Sequence, residues 1–162
     1  MNELQLLKTL ENDPRIAISD LAAVLAESES DVLDKLSELE KEKIICGYHT
    51  IINWDKTNHE RVSAFIFAEA TPQRDVGYDN IARKIYNYPE VESLHLISGE
   101  NDFIILIHGE TMKEIAEFTA MKLATIDGIN STNTLFILQT FKENNYIYVE
   151  EENKQHRLVV TP

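Results

Sequence analysis

The sequence predicts an α+β chain in two parts, a winged helix-turn-helix over residues 1–56 and a ferredoxin-like β-α-β-β-α-β domain over residues 57–162. Three observations carry that expectation. Leucines recur at helical spacing in short segments before Lys43, Gly47 then divides a β-branched run, and from Val62 onward apolar strands alternate with amphipathic helices. At 162 residues the chain has room for two small domains, and with 43% apolar residues it can bury a core.

In the first part, Leu4, Leu7 and Leu10, with Leu6, mark a helix that Asp13-Pro14 ends, because proline disfavours helical backbone in the residue before it. Ser19 is the expected N-cap of a second helix carrying Leu21, Ala22, Val24 and Leu25. A third runs from about Ser30 to Lys43, with Val32, Leu36 and Leu39 on one face. Ile44 to Ile52 reads as two strands around Gly47, the wing. Trp54 is an exception in the polar stretch that follows and reads as a packing anchor, with the domain boundary near Thr57 to Arg61.

In the second part, Val62 to Ala70 is a strand stopped by Thr71-Pro72. Tyr78, Ile81, Ala82, Ile85 and Tyr86 share a helix that Pro89 ends. Val91 to Ser98 and Phe103 to His108 form two buried strands joined by the turn from Ile97 to Phe103. A helix from Thr111 to Ile126 follows, with Met112, Ile115, Ala116, Phe118 and Leu123, closed near Gly128; Thr132 to Thr140 is the last strand of the sheet. The tail reads as short strands at Tyr146–Val149 and Leu158–Val160 about the acidic turn Glu150-Glu151-Glu152. It either crosses to a neighbouring subunit or adds to its own sheet edge.

The strand faces bear on assembly. Phe65 and Phe67 alternate with Ala64, Ile66 and Ala68, and Phe103, Ile105 and Ile107 alternate with Ile104 and Leu106. Two helices cover one side of a sheet, so a second apolar side calls for a partner, at about 25 cal/mol per Å² of apolar surface removed from water. A homodimer through this face, with two-fold symmetry, is expected; the alternative is that the tail covers the face within one chain.

The turn can also hold a ligand. Gly99 leaves its backbone amide open, Asn101 offers donor and acceptor, and Asp102 offers a carboxylate for an ammonium group. Elsewhere the chemistry is sparse. His49, His59, His95, His108 and His156 show no ligand spacing, and no phosphate loop or nucleophile elbow occurs, so no metal, cofactor or enzymatic activity is expected. The single cysteine, Cys46, excludes an internal disulfide. No apolar run approaches a membrane span and no leader pattern opens the chain, so a cytoplasmic protein with no membrane partner is expected. The net charge of −13 opposes non-specific attraction to nucleic acid. Residues 1 to 60 alone hold six Lys or Arg against thirteen Asp or Glu, a net of −7.

Leu21-Ala22, then Val32-x-x-Lys35-Leu36-x-x-Leu39-Glu40, then Ile44-Ile45-x-Gly47-Tyr48 resembles the N-terminal domain of the Lrp/AsnC regulators. Pro89-Glu90-Val91, Ser98-Gly99-x-x-Asp102 and Asp127-Gly128-Ile129 resemble their regulatory domain, so that the likeness spans about residues 2 to 142. It implies a transcriptional regulator whose third helix enters the major groove of double-stranded DNA. On that helix Ser28 and Ser30 match the family's start, Lys35 and Lys41 would meet phosphate, and Ser30 and Ser37 could reach backbone or base edges. Asp34 departs from the family's usual basic face. The resemblance further implies a small-molecule effector, an amino acid, held near Gly99, Asn101 and Asp102, and dimers that assemble into larger rings. Asn101 stands where an aromatic residue is frequent in the family. Two alternatives follow. One is an enzyme similar to sirohaem decarboxylases, with His49 as its catalytic candidate, although no Arg flanks it. The other is a small-molecule sensor that has lost DNA binding.

Overall fold

The computed structural model describes residues 1–72, 74 and 76–148 and divides into two compact units, Met1–Ile51 and Ile52–Pro162. In the first unit, α1 (Glu3–Asn12), α2 (Ile18–Leu25) and α3 (Glu29–Lys41) enclose a core of Leu6, Leu21, Ala22, Leu25, Val32, Leu36 and Leu39. The side chain of Asn2 caps α1 by accepting from the Gln5 N–H, and Ser28 caps α3 by accepting from the Asp31 N–H.

Three local expectations need correction here. Leu4 is exposed, because α1 turns Leu6, with Leu7 and Leu10 beside it, toward the core. Ser19 lies inside α2, which begins at Ile18 behind an Ala17 N-cap with no side-chain bond. The segment from Ile44 to Ile52 bends at Ile44 and Ile45 and forms no strand ladder among the described residues. Ile44, Tyr48 and Ile52 are exposed, so a lone hairpin here has little apolar face to bury, and two strands alone are marginal in water. Tyr48 still ties back to α3, donating its hydroxyl to Glu40 Oε1 at 2.9 Å.

In the second unit, β1 (Val62–Ala70), α4 (Asp79–Tyr86), β2 (Val91–Leu96), β3 (Phe103–Gly109), α5 (Met112–Phe118) and β4 (Ile129–Phe136) give the expected β-α-β-β-α-β order. The sheet order is β2-β3-β1-β4, and every neighbouring pair is antiparallel. The second strand is therefore an edge strand, half exposed, where the sequence suggested a buried one. The fourth strand starts at Ile129, three residues before its expected start, since Gly128 takes φ +99° and releases the chain directly into pairing with β1.

One sheet face lies under the helices. Ala64, Ile66 and Ala68 of β1 and Phe103, Ile105 and Ile107 of β3 are buried there with Ile81, Ile85, Ile115, Phe118 and Leu123. Met112 and Ala116, expected on the apolar side of α5, are exposed. After Phe118 the helix widens into a π-helical stretch, Thr119–Leu123, which rotates Leu123 back under the sheet. On the other face, Phe65 stands opposite both Leu106 and Leu135, and Phe67 opposite Ile104 and Asn133. Phe65 and Leu135 are exposed there, and Phe67, Ile104 and Leu106 are only partly buried. Both α4 and α5 pack on the opposite face, which leaves these side chains only partly covered.

Beyond the sheet, β5 (Lys142–Glu143) and β6 (Tyr146–Ile147) form a hairpin around Asn144 and Asn145, both with positive φ. The tail's expected acidic turn at residues 150–152 and strand at 158–160 lie outside the described residues. Trp54 opens a short 3₁₀ turn, and the Arg61 guanidinium sits 4.8 Å from its ring centre.

Candidate functional site

The first candidate surface is α3. Its apolar side is fixed by Val32, Leu36 and Leu39, at helical spacing, so Ser30, Leu33, Asp34, Ser37 and Lys41 face outward and are exposed. The residues singled out from the sequence divide by role. Ser28 is engaged as the helix cap, and its hydroxyl also donates to Asp31 Oδ2 at 2.6 Å. Ser30, Ser37 and Lys41 share the outward side. Lys35 is committed elsewhere, its ammonium lying 2.9 Å from Glu3 on α1 and 3.1 Å from Glu38 one turn along α3. Hydrogen bonding to Glu3, then to Glu38, raises the Lys35 pKa above its ordinary value. Lys35 thus staples α1 to α3. Leu33 is the outward residue that sequence reasoning passed over, because its spacing does not match the core set.

The second candidate is the turn between β2 and β3. Ile97 N–H donates to the Asp102 carbonyl at 2.8 Å, which closes it, and Asp102 N–H donates to the Ala68 carbonyl at 3.0 Å. The β1/β3 ladder ends at Ala68↔Phe103, so the Ala70 N–H two residues on finds its acceptor in Asp102 Oδ2 at 2.7 Å. Tyr78, just ahead of α4, donates its hydroxyl to Oδ1 at 2.6 Å and packs edge-on to Phe103 at 5.5 Å. These bonds, Tyr78 first and the Ala70 amide second, hold the Asp102 carboxyl below its usual range, and Asp102 in turn raises the Tyr78 phenol.

Asp102 therefore organises the turn before any ligand arrives. Each of its oxygens already accepts one bond and keeps a lone pair free. Gly99 adopts φ +134°, a conformation other residues rarely take, and its Cα has open space around it. Asn101 is half-buried and Gly99 exposed, so the three expected residues stand on one turn. Tyr78 joins them from 24 positions upstream. No local pattern in the sequence announces it, since it fits the helical apolar spacing of its own segment.

A third cluster ties the end of the uncovered sheet face together. Ser63 Oγ and His108 Nδ1 are 2.8 Å apart, His108 Nε2 meets Glu92, and Glu92 pairs with Arg61 at 3.0 Å. Burial lowers the His108 pKa, against the pull of Glu92 in the other direction. His49, by contrast, is exposed in the irregular segment after α3. Among the described residues no group of acidic, histidine or cysteine side chains could hold a metal, and no helix is long and apolar enough to cross a membrane.

Comparison with known proteins sets these surfaces in context. The family description Lrp/AsnC ligand binding domain matches residues 63–147. Across almost its whole length the chain is similar to an uncharacterized HTH-type transcriptional regulator, YugG, of Bacillus subtilis. The two are 37% identical over 99% of this chain and 96% of that protein. A second uncharacterized HTH-type transcriptional regulator, from Pyrococcus horikoshii, is 31% identical over 89% of this chain and 88% of its own. Among solved structures, the fold is shared with a transcriptional regulator of Neisseria meningitidis in complex with L-methionine. The TM-score is 0.70, with 23% identity over 88% of this chain and 93% of that one.

Proposed function

Because the chain belongs to the Lrp/AsnC family of transcriptional regulators, we propose that it is a two-fold dimer whose α3 helices read DNA and whose Asp102 turn responds to an amino acid. One observation carries the reading: a three-helix head with an outward, unburied side on α3 precedes a sheet with one apolar face left uncovered. Exposing Phe65, Phe67, Ile104, Leu106 and Leu135 to water is unfavourable, and a second copy offers the same self-complementary surface. A symmetric dimer places its α3 helices on half-sites about one helical turn apart, or a multiple of it.

On α3, Ser30 and Ser37 are free to meet bases or backbone, and Lys41 to meet phosphate. Lys35 would do so only by leaving Glu3 and Glu38. At the turn, the free lone pairs of Asp102 suit an ammonium group and the open Gly99 backbone suits a carboxylate, the two ends of an amino acid. The structural neighbour solved with L-methionine supports that class of effector. An effector that bound one assembly state better than another would shift the spacing of the DNA readers. The domain boundary at residues 56 and 57 and a cytoplasmic location belong to the same reading.

The test is selection from a random duplex pool at low and moderate salt with the full chain and Lys41→Glu. The expected result is a partly symmetric motif for the wild type and weaker enrichment of it by the variant. Absence of any motif at either salt overturns the reading. For the effector, amino acids should raise the melting temperature of the wild type more than that of Asp102→Ala or Tyr78→Phe, each measured against its own unliganded state. Equal shifts in all three remove the turn from the site.

A further inference from the structure

Over Glu29–Lys41, α3 carries the acids Glu29, Asp31, Asp34, Glu38 and Glu40 against Lys35 and Lys41, a net of −3, and Lys35 is already paired with two of the chain's carboxylates. Attraction to phosphate is independent of sequence, and this helix supplies little of it. Preference for one DNA sequence comes from base-edge contacts or from DNA shape, and only the first can be sought in the side chains of this helix. The outward side offers one large apolar group for that purpose. Leu33 is 51% exposed, although Val32 beside it and Leu36 one turn on are buried.

Single exposed leucines are common on protein surfaces, so position has to decide. Leu33 is the fifth residue of α3, within the N-terminal part of a recognition helix that comes nearest the bases. One turn to either side on the same face stand Ser30 and Ser37, both small, so nothing taller keeps the helix from lying close in a groove. The one feature of the major-groove edge that an aliphatic side chain recognises is the thymine C5-methyl group.

We infer that Leu33 is a specificity-determining residue, packing on the C5-methyl of a thymine in each half-site. The inference rests on the reading of α3 as the DNA-contacting helix. Asp34, a poor neighbour for phosphate, is chemically suited to the same edge, since a carboxylate accepts from the cytosine N4 amine.

Deoxyuridine in place of thymidine removes that methyl and nothing else. The experiment takes the duplex enriched by the full chain, replaces each thymidine in turn by deoxyuridine, and measures binding by wild type, Leu33→Ala and, as a control at an exposed leucine away from α3, Leu4→Ala. Thermal melting confirms that the variants fold, as exposure of both positions leads one to expect. At one thymine per half-site, wild type and Leu4→Ala should lose about fourfold in affinity on methyl removal, and about fifteenfold when both half-sites are changed. Leu33→Ala should bind the thymidine and deoxyuridine duplexes equally. If the wild type is indifferent to every methyl, or if Leu33→Ala keeps the preference, the assignment is overturned while the DNA-reading function stands. A Leu33→Ala chain that loses DNA binding together with its dimeric mass also overturns it, and places Leu33 in a protein contact. Failure to enrich any duplex removes the assignment and the function together.

Discussion

Replacing Phe65 by alanine removes the largest exposed side chain at the centre of the uncovered sheet face, between Leu106 and Leu135. Its exposure is 37%, which for a phenylalanine presenting roughly 200 Å² leaves about 75 Å² for a partner to cover. At about 25 cal/mol per Å² that area is worth about 1.9 kcal/mol per subunit. Two-fold symmetry counts it twice, about 3.7 kcal/mol for the dimer, so the dissociation constant should rise about 500-fold. Phe65→Asp should do at least as much, since it adds the desolvation of a charge. Sedimentation equilibrium over a concentration series measures the constant, and circular dichroism checks that the fold persists. An unchanged constant in both variants, with the fold intact, would refute the argument that this face is where the dimer forms.

Three further outcomes follow from the same geometry. Gly128→Ala must hold a φ of +99° and bring its Cβ to 2.7 Å from Ile81 Cδ1. It should cost about 1–3 kcal/mol, read as a lower urea midpoint. The Glu90 carboxylate is drawn below its ordinary pKa mainly by its bond to Lys122 Nζ. A depressed carboxylate pKa stabilises the fold above the unfolded value, and that stability is lost as pH falls through the folded value. The advantage of wild type over Lys122→Met in urea midpoint should therefore be largest at neutral pH and fade on the acid side. Glu3→Gln takes away one of the two carboxylates holding Lys35. It should strengthen non-specific DNA binding and steepen its dependence on salt, measured by fluorescence anisotropy.

Much of the second unit was legible because its strands and helices differ in period. The burial of Ala64, Ile66 and Ala68 on one side of β1, with Phe65 and Phe67 on the other, is what simple alternation dictates. The fourth strand was expected at Thr132 to Thr140 because the apolar run Leu135 to Leu138 has strand character, yet pairing ends at Phe136. Its pairing through polar Ser131 to Asn133 is set instead by β1 beside it. The wing failed for a different reason. Gly47 and its β-branched flanks have the composition of a hairpin, and composition cannot supply the third surface that a hairpin needs.

The candidate sites were legible in outline only. Gly99 and Asp102 were readable as turn chemistry, whereas the Tyr78 hydroxyl on Asp102 and the grip of Glu3 on Lys35 join residues 24 and 32 positions apart. Such pairs leave no local trace in a sequence. Lys35 therefore read as a phosphate ligand, while its actual partners are carboxylates of its own unit. Leu33 was missed because it falls outside the Val32, Leu36 and Leu39 spacing, and only the packing shows a large apolar side chain left on the outward side.

What decides the function of this protein is whether an acidic helix can still tell one DNA sequence from another. The measurement is the ratio of affinities for the enriched duplex and for a scrambled duplex of the same length, taken with the full chain at low and at moderate salt. A preference that survives the added salt, while both affinities fall, is the predicted result, because base-edge contacts carry the discrimination. Equal affinity for the two duplexes at both salts would contradict it.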